Sequence, residues 1–205
     1  MKIALLLQGI HYNHYNNKMR DFRNHFSNIN ENIIQDLGVN NTVSKYLYTY
    51  PSDMDKLLVE KYQPTDYKIV PFEGSNQIST KVNSLKFIKD INVDIIVMTR
   101  FDLYFKDKFS NFNINFSKFN FANREEFGNW TKHQYCCDNL YIFPKHMLDR
   151  VLSSFIDLET IFLSTGQAHA PIGTHDLYTT LSKYVSDDEI NYMDISFDNN
   201  IYSFT

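Results

Sequence analysis

Cysteine is scarce in this chain of 205 residues: there are two, Cys136 and Cys137, and they are neighbours. Adjacent thiols cannot tie distant segments together, and no further Cys or suitably spaced His completes a zinc pattern with them. A disulfide-stapled secreted fold is thereby excluded, and a reducing compartment, the cytoplasm, is the expected location. Glycine and proline are also few, at 6 and 5, and no run of either forms a linker dividing the chain. An excess of basic charge is missing. The formal net charge is −4, which gives no electrostatic drive towards nucleic acid. Long hydrophobic runs are absent too. The apolar opening at 3–7 stops at Gln8-Gly9, too short for a signal-peptide core or a membrane span.

What is present is a globular composition, 43% hydrophobic and 16% aromatic, sufficient for one α/β domain with a sizeable core. Residues 3–7 read as a buried strand. Residues 10–18, with His11 and His14, read as a solvated loop. Apolar residues at Met19, Phe22, Phe26, Ile29, Ile33 and Ile34 give helical spacing over 19–37, with Gly38 as the stop. Strands are expected at 44–50 and 68–72, separated by a short helix ending at Tyr62. A helix at 77–89 presents Ile78, Val82, Leu85 and Ile88 on one face. This alternation argues for βαβ units and a mainly parallel sheet. Beyond residue 102 the pattern changes. Phe112, Ile114, Phe116, Phe119 and Phe121 alternate with polar residues, which predicts a smaller β-ribbon. A strand at 140–143, a helix at 146–163, a short helix opened by His175-Asp176 and one or two short strands in 190–204 complete the chain. Between the last two helices, Gly166, Pro171 and Gly173 mark a loop over a site.

The stretch around which these elements are organised is 94–105. Its apolar core, Ile95 to Met98, ends at Thr99-Arg100-Phe101-Asp102. Ligands in open α/β sheets bind beyond the carboxyl ends of such strands. Arg100 and Asp102 stand two apart and share a side if the strand persists. Arg100 offers a planar fork for phosphate, and Asp102 a carboxylate for a divalent cation or a ribose hydroxyl. The alternative is a structural Arg–Asp pair at a strand end. Gly9 allows a tight turn and close backbone approach to a ligand.

With these motifs in place, the chain resembles nucleotide-sugar glycosyltransferases of the GT-A fold. More narrowly, it is similar to small stand-alone glycosyltransferases that include examples from large DNA viruses. The resemblance is carried by Gln8-Gly9, by Tyr46-Leu47-Tyr48-Thr49-Tyr50, by Tyr62-Gln63-Pro64 and by Asp94-Ile95-Ile96-Val97-Met98-Thr99-Arg100-Phe101-Asp102-Leu103. It implies a three-layer, Rossmann-like domain spanning 1–205, with a donor half at about 1–102 and an acceptor half at about 103–205. The implied reaction moves a sugar, with inversion, from a nucleotide-diphosphate donor such as a UDP-sugar to a hydroxyl of a glycan or glycoprotein. Gln8, Gly9, Lys81, Arg100 and Asp102 would hold the donor. The usual cofactor would be Mn²⁺ or Mg²⁺ on Asp102, with His175 or His169 as a further ligand. The sequence departs from the family at the usual Asp-x-Asp, whose first acid is Arg100 here, so Arg100 could instead neutralise the diphosphate itself. A non-catalytic nucleotide- or glycan-binding domain is the alternative function.

The family places its catalytic base at a helix start after a Gly-bearing loop. Gly173-Thr174-His175-Asp176 has that layout, making Asp176 the first choice, with helix capping as its other reading. Asp138, before the 140–143 strand, is the second, with a buried turn as its alternative. Lys81 and Ser84 lie one turn apart and either reach the donor sugar or form a solvated face. Trp130 and Tyr135 are an acceptor platform or ordinary packing. Glu125-Glu126 read as a solvated pair.

Overall fold

The structure is a computed structural model that describes residues 1–13, 20–72, 75–124, 134–164, 174–195 and 201–203. Strand β1 (Lys2–Gln8) is followed by a hairpin of two short strands, β2 (Tyr12–Asn13) and β3 (Arg20–Asp21). Helix α1 (Arg23–Ile29) runs through a π-helical stretch (Asn30–Gln35) into α2 (Asp36–Gly38). Then come β4 (Thr42–Thr49), α3 (Asp55–Tyr62), β5 (Asp66–Ile69), α4 (Gln77–Phe87) and β6 (Ile95–Arg100). The second half holds β7 (Leu103–Phe105), β8 (Phe119–Phe121), β9 (Leu140–Pro144), α5 (Leu148–Ser164), α6 (Leu177–Leu181), β10 (Ile190–Tyr192) and β11 (Ile201–Ser203).

Seven strands form one sheet in the order β10-β8-β9-β6-β1-β4-β5. Most neighbours are parallel; β9 alone runs against both of its neighbours. The apolar strands β1 and β6 sit side by side near the centre, as expected of strands buried on both faces. Their side chains alternate between two cores. Ala4, Leu6, Ile96 and Met98 pack with α4, α5 and α6, while Ile3, Leu5, Leu7, Ile95 and Val97 pack with α1, α2 and α3. The result is a three-layer α/β arrangement. The adjacent cysteines are divided between the layers, Cys136 in the first and Cys137 in the second. Among the described residues no helix is long and apolar enough to cross a membrane.

Four expectations need correction. The predicted ribbon over 112–121 is not formed. Phe119–Phe121 instead joins the main sheet as β8, and the small ribbon is made by β7 and β11. The polar member of the alternation, Asn120, is wholly buried. Its amide nitrogen lies 2.8, 2.8 and 3.0 Å from the carbonyls of Asn115, Lys118 and Ile142, which share its two N–H groups, so burial leaves it bonded. The edge strand β5 lies earlier than 68–72, because its pairing begins opposite Tyr46 and Pro71 has no N–H to extend it. The helix predicted from Met19 starts at Arg23, because Arg20 and Asp21 pair with Asn13 and Tyr12. His11 is buried, not solvated. Its Nδ1 meets Thr49 Oγ1 at 2.7 Å and its Nε2 meets Ser52 Oγ at 2.8 Å. Burial holds its pKa below the usual histidine value, against the pull of Asp55.

Candidate functional site

The carboxyl ends of β1, β4 and β6 lie at one edge of the sheet. Gln8, the last residue of β1, is flanked by Tyr48 on one side and Arg100 on the other. The chain then turns at Gly9, whose φ of 101° lies in the region glycine adopts without strain. A Cβ at Gly9 would meet nothing within 4 Å, so the requirement is conformational and not one of space. The turn is pinned by Gly9 N–H donating to the Tyr48 carbonyl at 3.1 Å and by Thr49 Oγ1 donating to the Gly9 carbonyl at 2.8 Å. Because β9 runs the opposite way, its beginning meets this edge and delivers Asp138 and Asn139 there. Helix α4 points its N-terminus at the same place. Its cap, Asn76, accepts from the N–H groups of Ile78 and Ser79, both at 2.8 Å, and Ser79 returns the bond in a capping box. These segments, with the β2–β3 hairpin, enclose a cavity of about 630 Å³.

On one wall Arg100 grips Asp102 with two bonds, Nε to Oδ1 at 2.8 Å and Nη2 to Oδ2 at 2.6 Å. Its Nη1 reaches Asn139 Oδ1 at 3.1 Å. From the hairpin, Arg20 Nε approaches Asp102 Oδ2 at 3.4 Å. Asp102 is 2% exposed. Burial pushes its carboxyl pKa up, but the Arg100 guanidinium, with Arg20 behind it, holds it below the ordinary value.

Elsewhere in the lining, Lys81 is almost wholly buried. Its Nζ donates to the Asp138 carbonyl at 2.8 Å, lies 3.6 Å from Asp138 Oδ2 and sits 4.9 Å above the Tyr141 ring. Burial lowers the Lys81 pKa against the pull of Asp138. Asp138 Oδ2 accepts from the Thr174 hydroxyl, and its Oδ1 faces His175 Nε2 at 3.7 Å. Burial opposes its ionisation, yet Lys81, His175 and Thr174 together hold its pKa well below the usual carboxylate range. A third wall is aromatic. Tyr50 and Phe72 meet edge to face with ring centroids 4.9 Å apart, and the Tyr50 hydroxyl is bonded to Thr80. No family model matches the chain, and no curated protein matches it.

Six of the residues singled out from sequence thus line one cavity: Gln8, Gly9, Lys81, Arg100, Asp102 and Asp138. Two do not. His175 is a half-exposed neighbour of Asp138, and Asp176 stands at the start of α6, partly exposed and away from the lining, with no side-chain capping bond. The solvated face proposed for Lys81 and Ser84 is corrected, since both are buried; Ser84 Oγ donates to the Lys81 carbonyl at 3.0 Å. Tyr135 is half-buried and outside the lining. Glu125, Glu126, Trp130, His14, Gly166, His169 and Gly173 lie outside the described residues.

As placed, Asp102 and His175 do not together form a site for a divalent cation. Both oxygens of Asp102 are bonded to a guanidinium, and His175 faces Asp138 instead. Among the described residues no group of three or more His, Cys, Asp or Glu side chains is placed to hold a metal. Sequence reasoning missed Arg20, Tyr50 as a wall, the Asn76 cap and Asn139. Of these only the cap carried a readable signal, Asn76 preceding a helical pattern with Ser79 three residues on.

Proposed function

We propose that the chain is a glycosyltransferase that binds a nucleotide-diphosphate sugar, such as a UDP-sugar, in this cavity and transfers the sugar to a glycan or glycoprotein hydroxyl with inversion. The observation that carries the reading is the convergence of Arg20 and Arg100 with an aromatic wall at the carboxyl edge of a mostly parallel sheet. Such an edge is where nucleotides bind in sheets of this type. The Arg20–Arg100–Asp102 group has one positive charge left over, suited to a diphosphate. Tyr50 and Phe72 offer apolar surface to a base or sugar.

In the reaction the acceptor oxygen forms a bond to the anomeric carbon as the bond to the diphosphate oxygen breaks. The diphosphate leaves with that electron pair, its charge stabilised by the guanidinium groups. The hydroxyl proton passes to Asp138, the one candidate base that lines the cavity. Lys81, His175 and Thr174 lower the Asp138 pKa, which suits a transfer in which carbon–oxygen cleavage runs ahead of proton loss. Asp176 is set aside as base because it does not reach the lining.

The direct test is release of UDP from a panel of UDP-sugars with the purified chain, with and without oligosaccharide acceptors. Acceptor-dependent release, with a product of opposite anomeric configuration by NMR, is expected. Binding without release would favour a non-catalytic nucleotide-binding domain, a reading supported by the fact that Asp102 and Asp138, the carboxylates lining the cavity among the described residues, are already engaged. Absence of both would defeat the proposal.

A further inference from the structure

We infer that a guanidinium clamp, Arg20 and Arg100 fixed on Asp102, holds the donor's diphosphate and takes the place of a divalent cation. This rests on the nucleotide-diphosphate reading of the cavity and adds how that anion is neutralised. The resemblance to GT-A enzymes makes Asp102 the natural metal ligand; the geometry gives it a different task. Arg100 engages both of its oxygens at 2.8 and 2.6 Å, and Arg20 Nε stands 3.4 Å from Oδ2. A cation on either oxygen would have to displace a charge-assisted bond and then sit against the positive charges of Arg100 and Arg20.

The same geometry leaves the clamp capable of binding. A guanidinium carries five N–H donors. Two of those on Arg100 go to Asp102 and one to Asn139 Oδ1, so two remain for phosphate oxygens. Arg20, with its side chain 31% exposed, already lines the cavity beside Asp102. Asp102 is therefore a positioning residue: it fixes the plane of Arg100, and the two arginines meet the anion.

Inorganic pyrophosphate is the probe. In isothermal titration of the full chain, pyrophosphate is expected to bind with EDTA present, and a parallel titration without EDTA in buffer containing Mn²⁺ or Mg²⁺ is expected to show binding no tighter. Arg20→Ala, a substitution at a half-exposed hairpin residue, should weaken binding by about tenfold or more while the circular dichroism spectrum and unfolding midpoint stay near wild type. Arg20→Lys should recover part of the loss. Pyrophosphate binding that needs Mn²⁺, or none at all in EDTA, would overturn the clamp. So would unchanged affinity in Arg20→Ala, or tight Mn²⁺ binding to the chain alone by electron paramagnetic resonance. The two proposals fail separately. Pyrophosphate bound in EDTA with every UDP-sugar rejected defeats the transferase reading and leaves the clamp standing. UDP-sugars bound only with Mn²⁺ do the reverse.

Discussion

Asp102 and Asp138 line one cavity, each nearly out of contact with water and each beside a cation. Arg100 takes both oxygens of Asp102 in a planar fork. Lys81 spends its best bond on the Asp138 main-chain carbonyl, at 2.8 Å, and leaves the carboxylate at 3.6 Å. A fork fixes direction as well as charge, whereas an ammonium is a point charge. The first wall is therefore a rigid anchor with its anionic oxygens spoken for. The second is an electrostatic cage in which one carboxylate oxygen still faces outwards, towards His175. On the proposed reading the two salt bridges would serve different tasks, holding in one and chemistry in the other.

The largest effect should come from testing that division of labour. Asp138→Asn is expected to lower sugar transfer by about 10²–10⁴-fold with UDP-sugar affinity nearly unchanged, and Asp176→Asn is expected to transfer at close to the wild-type rate. Single-turnover kinetics beside titration calorimetry reads both, and an inactive Asp176→Asn with an active Asp138→Asn would reverse the assignment. Next in size is stability. Arg100→Met strands the Asp102 carboxylate without its forked partner, and should cost about 3–5 kcal/mol in urea unfolding. Lys81→Met relieves the burial of a charge and leaves Asp138 with Thr174 and His175, so a smaller loss of about 1–3 kcal/mol is expected. Equal losses would mean that the fork adds nothing over the point charge.

Acid should weaken both walls. The folded pKa values of Asp102 and Asp138 lie below the ordinary 3.8. Above that ordinary value both folded and unfolded chains are ionised and the stabilisation is complete. As pH falls below it, the unfolded chain takes up protons first, and the stabilisation is lost progressively until the folded values are passed. Urea midpoints measured between pH 6 and pH 3 should therefore fall, and should fall less steeply in Arg100→Met. A midpoint that rises over that range would contradict the assigned direction. The smallest change is at the end of α4, where Asn76→Ala removes the cap and should cost about 1 kcal/mol without altering the Arg100–Asp102 wall.

The sequence made the first half legible because its signals are strong and local. Uninterrupted apolar runs placed β1 and β6 at the centre, and the stops at Gln8-Gly9 and Arg100-Phe101-Asp102 located the edge that carries the cavity. The rest was hidden for physical reasons. Arg20 reaches the site through a hairpin of two-residue strands, too short to leave a periodic pattern. Lys81, His11 and Asn120 are polar and were expected outside or half outside, but each is buried with partners that only the folded chain supplies. The structural Arg–Asp pair and the phosphate fork, posed as alternatives from the sequence, are compatible in the structure. The pair uses three donors of Arg100 when Asn139 is counted, and a guanidinium has five.

The cysteine doublet carries a consequence of its own. Successive residues of extended chain face opposite ways, so the two thiols are native reporters, one in each hydrophobic layer, separated by a single peptide bond. Alkylation of Cys136 requires the α4–α5–α6 layer to open, and alkylation of Cys137 requires the α1–α2–α3 layer to do so. The ratio of their labelling rates under native conditions therefore measures whether the molecule breathes as one cooperative body or as two leaves hinged on the sheet, without the introduction of any probe.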